Sequence, residues 1–200
     1  MRTWIRAGVS GQEHIDNTRG GLFLVNHQSF LDPLFAAVFL TRPVSYLARD
    51  SLFRVPVLGA ILRSTNVIPI SREAVRSGSI RTAIENLEQG FLVGIFPEGT
   101  RSSGDAPGRF RPGFLALIRR SNTPVYPVGI AGADRILPKG SWFIRPRRVE
   151  IVYGAPLSEQ QLEVLRSEKD ERELADFARS LVAECQRQAA GRLKSRRSGS

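Results

Sequence analysis

Six short apolar runs, spaced along the chain with helical patterns between them, constrain this sequence more than any other feature. They are Leu22–Asn26, Val44–Ala48, Asn66–Ile70, Phe91–Phe96, Val125–Ile130 and Val149–Tyr153. Several are apolar on both sides, as strands are when helices cover both faces of a sheet. Strands alternating with helical segments predict a single α/β domain built on a mostly parallel central sheet covered by helices. Between the third and fourth runs, Ile80, Ala83, Ile84 and Leu87 recur at the spacing of one helix face and stop at Gly90. The segment LFAAVFL at 34–40 reads as a helix after the first strand. Leu174, Phe177, Ala178, Leu181, Val182 and Cys185 form a further stripe, which places Cys185 in the core as a small hydrophobe. From Gly191 the chain reads RLKSRRSGS, which predicts a basic, disordered tail over 191–200 behind a domain at 1–190.

Charge narrows the partners. Lys and Arg outnumber Asp and Glu by 29 to 19, for a formal charge of +10, so an anionic partner is expected: a phospholipid surface, a phosphorylated substrate, an acyl carrier or a nucleic acid. Nucleic acid is disfavoured, because no zinc-finger or RNA-motif signature occurs and aromatics do not interleave with the basic clusters. Neither GxxxxGK nor GxGxxG occurs, which argues against a nucleotide site. A lone cysteine, Cys185, excludes an intramolecular disulfide and a cysteine-based zinc site, and no metal is expected. No apolar run reaches the roughly 18 residues that span a bilayer. The start, MRTWIRAGVSGQEH, lacks the hydrophobic stretch of a signal peptide. The expected place is the cytoplasm, peripherally on the inner face of the cell membrane.

Two histidines are present. His14 lies in GQEHIDN, a polar stretch that reads as a surface turn. His27 follows the apolar run GLFLV and opens NHQSFLD, so it stands at the C-terminal end of a strand, where open α/β sheets bind ligands. Asp32 is five residues on. If the chain turns after the strand, its carboxylate comes back onto the imidazole, fixes the tautomer and stabilises the imidazolium formed when His27 takes a proton. His27 as a mere helix cap is the competing reading. After FLVGIF comes PEGTRSSG at 97–104, glycines, hydroxyls and a cation behind a buried strand, suited to a phosphate. Arg101 can grip phosphate bidentately, Thr100 and Ser102 can donate, and Gly99 lets the backbone approach. Glu98 is odd in an anion site unless it orients a donor. Arg72 ends NVIPISR and is expected near Arg101. TPVYPVGI at 123–130 reads as structural.

In this order, NHQSFLD, VIPISR, FPEGTRS and YPVGI resemble the four blocks of the glycerolipid acyltransferase family of the bacterial 1-acylglycerol-3-phosphate acyltransferase type, over about residues 9 to 156. The resemblance implies a glycerol-3-phosphate acyltransferase-like fold. It also implies His27 as general base on the acceptor hydroxyl, Asp32 as its orienter, and Arg72, Glu98, Gly99, Thr100 and Arg101 as the glycerol-phosphate site. The acyl donor would be an acyl-CoA or acyl-carrier-protein thioester, with no cofactor beyond that co-substrate, and the fatty chain would lie in an apolar groove. Attack would be direct, in keeping with the absence of GxSxG. An imidazole, with an unperturbed pKa of about 6.5, suits that proton transfer. Arg49 stands where the family commonly has lysine, as an oxyanion or donor contact. Many members carry a hydrophobic N-terminal segment that is not matched here. Either the start lies upstream, or docking falls to Trp4, Ile5, surface apolar residues and the positive field. The acceptor expected first is 1-acyl-sn-glycerol-3-phosphate. Another lysophospholipid, a lyso-ornithine lipid, or a non-catalytic lipid-binding module are the alternatives, and the intact His27 and Asp32 speak against the last.

Overall fold

The computed structural model describes residues 5–49, 68–70 and 78–198, apart from 103, 139 and 142. Seven strands form one sheet: β1 Arg6–Ser10, β2 Gly21–Val25, β3 Val44–Arg49, β4 Ile68–Ile70, β5 Leu92–Ile95, β6 Val125–Ala131 and β7 Arg148–Tyr153, in the order β1-β7-β6-β2-β5-β3-β4. Every neighbouring pair is parallel except β6 and β7. The six apolar runs all contain strands. The seventh, β1, escapes the pattern because it is an edge strand whose residues, apart from Gly8, are partly or fully exposed, so no apolar alternation marks it.

Among the described residues, six α-helices accompany the sheet: α1 Asp32–Phe35, α2 Gly78–Glu88, α3 Leu115–Arg120, α4 Ala133–Ile136, α5 Glu159–Arg166 and α6 Glu171–Ser198. Alternation along β2 sorts them into two layers. Leu22 and Leu24 face a core with Val93, Leu115, Ile118, Leu165, Ala178 and Val182, roofed by α2, α3, α5 and the first half of α6. Phe23 and Val25 face the other, with Tyr46, Val128, Ile151, Tyr153 and Ile136, roofed by α1 and α4. Both faces of β2, β5 and β6 are therefore buried, as the doubly apolar runs require.

Two expectations are corrected. LFAAVFL is regular helix only through Phe35. Turns carry the chain to Leu40, and Phe39 and Leu40 bend inward against the second core. Nor is 191–200 a disordered tail as far as Ser198: α6 runs through Gly191, because the apolar stripe Cys185, Ala189 and Leu193 continues along Ala131 and Val152, and Arg196 pairs with the buried Glu150 at 3.2 Å. Ile5 packs against the second core, while Trp4 lies outside the described residues. No helix among the described residues is long and apolar enough to cross a membrane.

Candidate active site

The site begins where β2 stops pairing. Val25 and Val128 are the last partners of β2 and β6. Next, the buried Asn26 replaces a backbone rung with its side chain: Nδ2 donates to the Ile130 carbonyl at 3.0 Å and Oδ1 accepts from the Ile130 amide at 2.7 Å. The main chain is thereby free to leave the sheet at His27. It wraps one tight loop and enters α1 at Asp32, with Pro33 pre-set for the first turn.

The spacing of five closes that loop around a single oxygen. Asp32 Oδ2 accepts from His27 Nδ1 at 2.9 Å, from the Gln28 amide at 2.6 Å and from the Ser29 amide at 2.7 Å. The Asp32 side chain is fully buried, whereas that of His27 is 17% exposed. Nδ1–H facing the carboxylate leaves Nε2 with its lone pair, the tautomer a general base needs. Phe96 supports the imidazole, ring centroids 4.4 Å apart. Burial pushes the Asp32 carboxyl up from its ordinary range, opposed by His27 and by the amides of Ser29 and Gln28.

The loop after β5 lies beside it. Phe96 to Gly99 is a turn, with the Gly99 amide donating to the Phe96 carbonyl at 3.0 Å, and Gly99 takes φ 66°, left-handed backbone that favours glycine. The turn sends neighbouring side chains in opposite directions. Glu98 goes inward: Oε1 accepts from the His27 amide at 2.7 Å and Oε2 from the Gly108 amide at 2.8 Å. Its carboxylate thus faces the His27 loop, where the family resemblance implied a phosphate ligand. A carboxylate that is 3% exposed and already holds two backbone donors braces the His27 loop and repels an anion. Thr100 faces solvent. Arg101 folds back, its guanidinium carbon 3.7 Å from the Phe30 ring centroid. Its Nη1 is shielded from solvent with no hydrogen-bond partner among the described residues. Burial lowers the guanidinium from its ordinary value and Asp32 opposes the shift, so the cation is partly desolvated beside the dyad. The Ser102 amide donates to the His27 carbonyl at 2.8 Å, fastening the two loops together.

His27, Asp32, Gly99, Thr100 and Arg101 are thus at one edge of the sheet. Arg72 and the side chain of Arg49 lie outside the described residues. His14 is exposed as expected, bonded through Nδ1 to the Tyr153 carbonyl at 3.1 Å. Asn26, Phe30, Phe96 and Arg111 were not picked out by sequence reasoning. Arg111 lies over Gly99, its Nε 3.2 Å from where a Cβ would stand, and its only sequence signal is its place in the basic RFRPGF. A groove of about 740 Å³ between β7, residues 154–157 and α6 opens at the opposite edge, at the C-terminal ends of β1 and β7, away from the dyad.

Fold and site together define an α/β protein in which the end of a central strand pairs an imidazole with a buried carboxylate beside a partly desolvated guanidinium. Such a site suits taking a proton from an anionic substrate. The Acyltransferase family profile matches residues 6–131, and the chain belongs to that family. It is 27% identical over 183 residues to the chloroplastic 1-acyl-sn-glycerol-3-phosphate acyltransferase of Arabidopsis thaliana, covering 90% of this chain and 49% of the relative. It is 27% identical over 168 residues to the enzyme of that name from Bacillus subtilis, covering 82% and 81%. The crystal structure of the 1-acyl-sn-glycerophosphate acyltransferase PlsC from Thermotoga maritima superposes with a TM-score of 0.73 at 26% identity, covering 92% of this chain and 73% of the other. The chain spans about half the length of the plant relatives it matches.

Proposed function

We propose that the protein moves a fatty acyl group from an acyl-CoA or acyl-carrier-protein thioester to the free hydroxyl of 1-acyl-sn-glycerol-3-phosphate, giving phosphatidic acid. His27 Nε2 takes the hydroxyl proton as the oxygen attacks the thioester carbonyl. The tetrahedral intermediate then expels the thiolate, and the imidazolium returns the proton to sulfur. Asp32 holds the ring and offsets the charge it gains. Arg101 binds the phosphate, with Thr100 and the Gly99 backbone at its rim; Arg72 is a further phosphate ligand and Arg49 a donor or oxyanion contact in the same reading. The observation that carries this reading is the 2.9 Å contact between His27 and Asp32 beside a shielded guanidinium nitrogen that lacks a partner among the described residues. The names of the relatives support the choice of acceptor.

The protein works peripherally at an anionic membrane surface on the cytoplasmic side. Phe30, Leu34 and Val38 are exposed at intervals of four, in the loop before α1, on α1 and in the turn after it, and Phe143 and Ile144 are exposed beside the exposed Arg145 and Arg147. Apolar side chains flanked by cations suit an anionic lipid surface.

A matrix of thioester donors against acceptors, read by mass detection of the lipid product, tests the proposal. Acyl transfer is expected with 1-acyl-sn-glycerol-3-phosphate and is expected to fall sharply with a phosphate-free lyso-ornithine lipid. Replacing His27 by Ala is expected to cut turnover by about 10²- to 10⁴-fold, and a wild-type rate in that variant refutes the mechanism.

A further inference from the structure

Asp32 satisfies only one of its oxygens. Oδ2 takes all three donors, while Oδ1 is buried with no hydrogen-bond partner among the described residues. A second buried polar atom in the same state is the hydroxyl of Tyr46. One is an obligate acceptor and the other a donor, and each is costly to bury unpaired.

The fold brings them together. Tyr46 on β3 pairs with Gly94 on β5, which pairs on its other side with Phe23 of β2. A Cβ at Gly94 would stand 2.2 Å from Tyr46 Cε1, so glycine lets the phenol lie flat across β5 toward β2. The ring stacks on Phe96, centroids 5.6 Å apart at 18°, and Phe96 in turn meets His27 at 4.4 Å. Helix α1, which begins at Asp32, roofs this face. On the same face, from β7 beyond β2 and β6, the Tyr153 hydroxyl reaches the Ala36 carbonyl at 3.3 Å, just past that helix. The Tyr46 phenol is pushed up first by burial, then by the fields of Tyr153 and Asp32. A phenylalanine would fill the same space, so packing accounts for the ring and leaves the hydroxyl unexplained.

We propose that Tyr46 is a positioning residue for the dyad, its hydroxyl donating through one buried water to Asp32 Oδ1. A donor and an acceptor enclosed under one helix are the partners such a water needs. The inference rests on the reading of His27 as general base. Among the described residues, His27 from the loop after β2, Arg101 from the loop after β5 and Tyr46 from β3 act on the carboxylate, while Tyr153 from β7 acts on the Tyr46 phenol. A hydrogen bond into Oδ1 draws charge from the carboxylate and favours its ionised form. Removing it makes Asp32 easier to protonate and concentrates charge on Oδ2 against the imidazolium. Both effects move the dyad's titration to higher pH.

The variant is Tyr46→Phe, which deletes one oxygen. Two readouts follow it: the acid limb of kcat/KM in the proposed acyl transfer, and the pH titration of the His27 Cε1–H resonance in the free protein. The chain has two histidines, so His14→Gln identifies the signal. The expected result is an upward shift of both by about half a pH unit, roughly a three-fold gain in proton affinity. A midpoint that stays or falls, with a melting temperature that rises because an unpaired hydroxyl has gone, overturns the proposal. The titration needs no turnover, so a failure here is separable from a failure of the acyl-transfer reading, which His27→Ala decides.

Discussion

Replacing Glu98 separates a bracing role from a ligand role. Its carboxylate joins two segments, the His27 amide at 2.7 Å and the Gly108 amide at 2.8 Å, from a position 3% exposed to solvent. Hydrogen bonds to a charged acceptor contribute about 1.5 to 3 kcal/mol each, and truncation leaves both amides without a partner. Glu98→Ala should therefore lose about 3 to 6 kcal/mol, a large fraction of the stability of an ordinary domain. For a chain of this length that lowers Tm by about 10 °C. Glu98→Gln keeps one acceptor oxygen and turns an N–H toward the other amide, so it should lose about half as much. The assay pairs urea and thermal melts with KM for the acceptor, measured well below the variant's Tm. Loss of stability with KM nearly unchanged is expected. A variant that melts like the wild type while KM for the phosphate-bearing acceptor rises would falsify the bracing role and restore Glu98 to the anion site.

Arg101→Lys keeps the charge but gives up the planar stacking on Phe30 and the paired donors, so KM for 1-acyl-sn-glycerol-3-phosphate should rise about ten-fold with kcat less affected; equal losses in both would contradict ground-state phosphate binding. Burial raises the Cys185 thiol to about 11, so iodoacetamide at mildly alkaline pH should label the chain only once urea has unfolded it. The folded thiol holds its proton longer than the unfolded one, so stability from this group is intact below the ordinary thiol range and declines as pH rises from there toward 11; rapid labelling of the native protein would refute the buried placement. Co-sedimentation with anionic vesicles should weaken with salt, and Leu34→Asp with Val38→Asp should reduce it several-fold without lowering Tm, since both side chains are exposed; unchanged binding would move the docking surface elsewhere.

The α/β layering was legible because β2, β5 and β6 are buried on both faces and their apolar runs advertise it. His27 and Asp32 were legible because a loop of five residues is short enough for the carboxylate to reach back, and the structure closes it through Oδ2. Other features resist pattern reading for stated reasons. Strand β1 is too exposed to alternate. Glu98 looks like part of an anion loop because its neighbours are, and only the direction of the turn before Gly99 reveals that it points inward. The last turns of α6 carry a polar, basic composition, and what holds them is Leu193 packed against strands distant in sequence together with the Arg196–Glu150 pair. Asn26 and Tyr46 act through partners on other strands, at Ile130 and beneath Asp32, which no local spacing announces.

The reversal between β6 and β7 decides where the polypeptide enters and leaves. Since β7 runs against β6, and β1 runs with β7, the first residues of β1 lie at the same edge as His27. Helix α6 runs alongside β6 in the same direction, from Gly129 past Gly132 to the Glu150 contact, and so delivers its C-terminal turns to that edge as well. A fluorophore or tether attached at Arg6 or at Arg196 will therefore leave from the same edge of the sheet as His27, and immobilising the protein there will turn that edge toward the support.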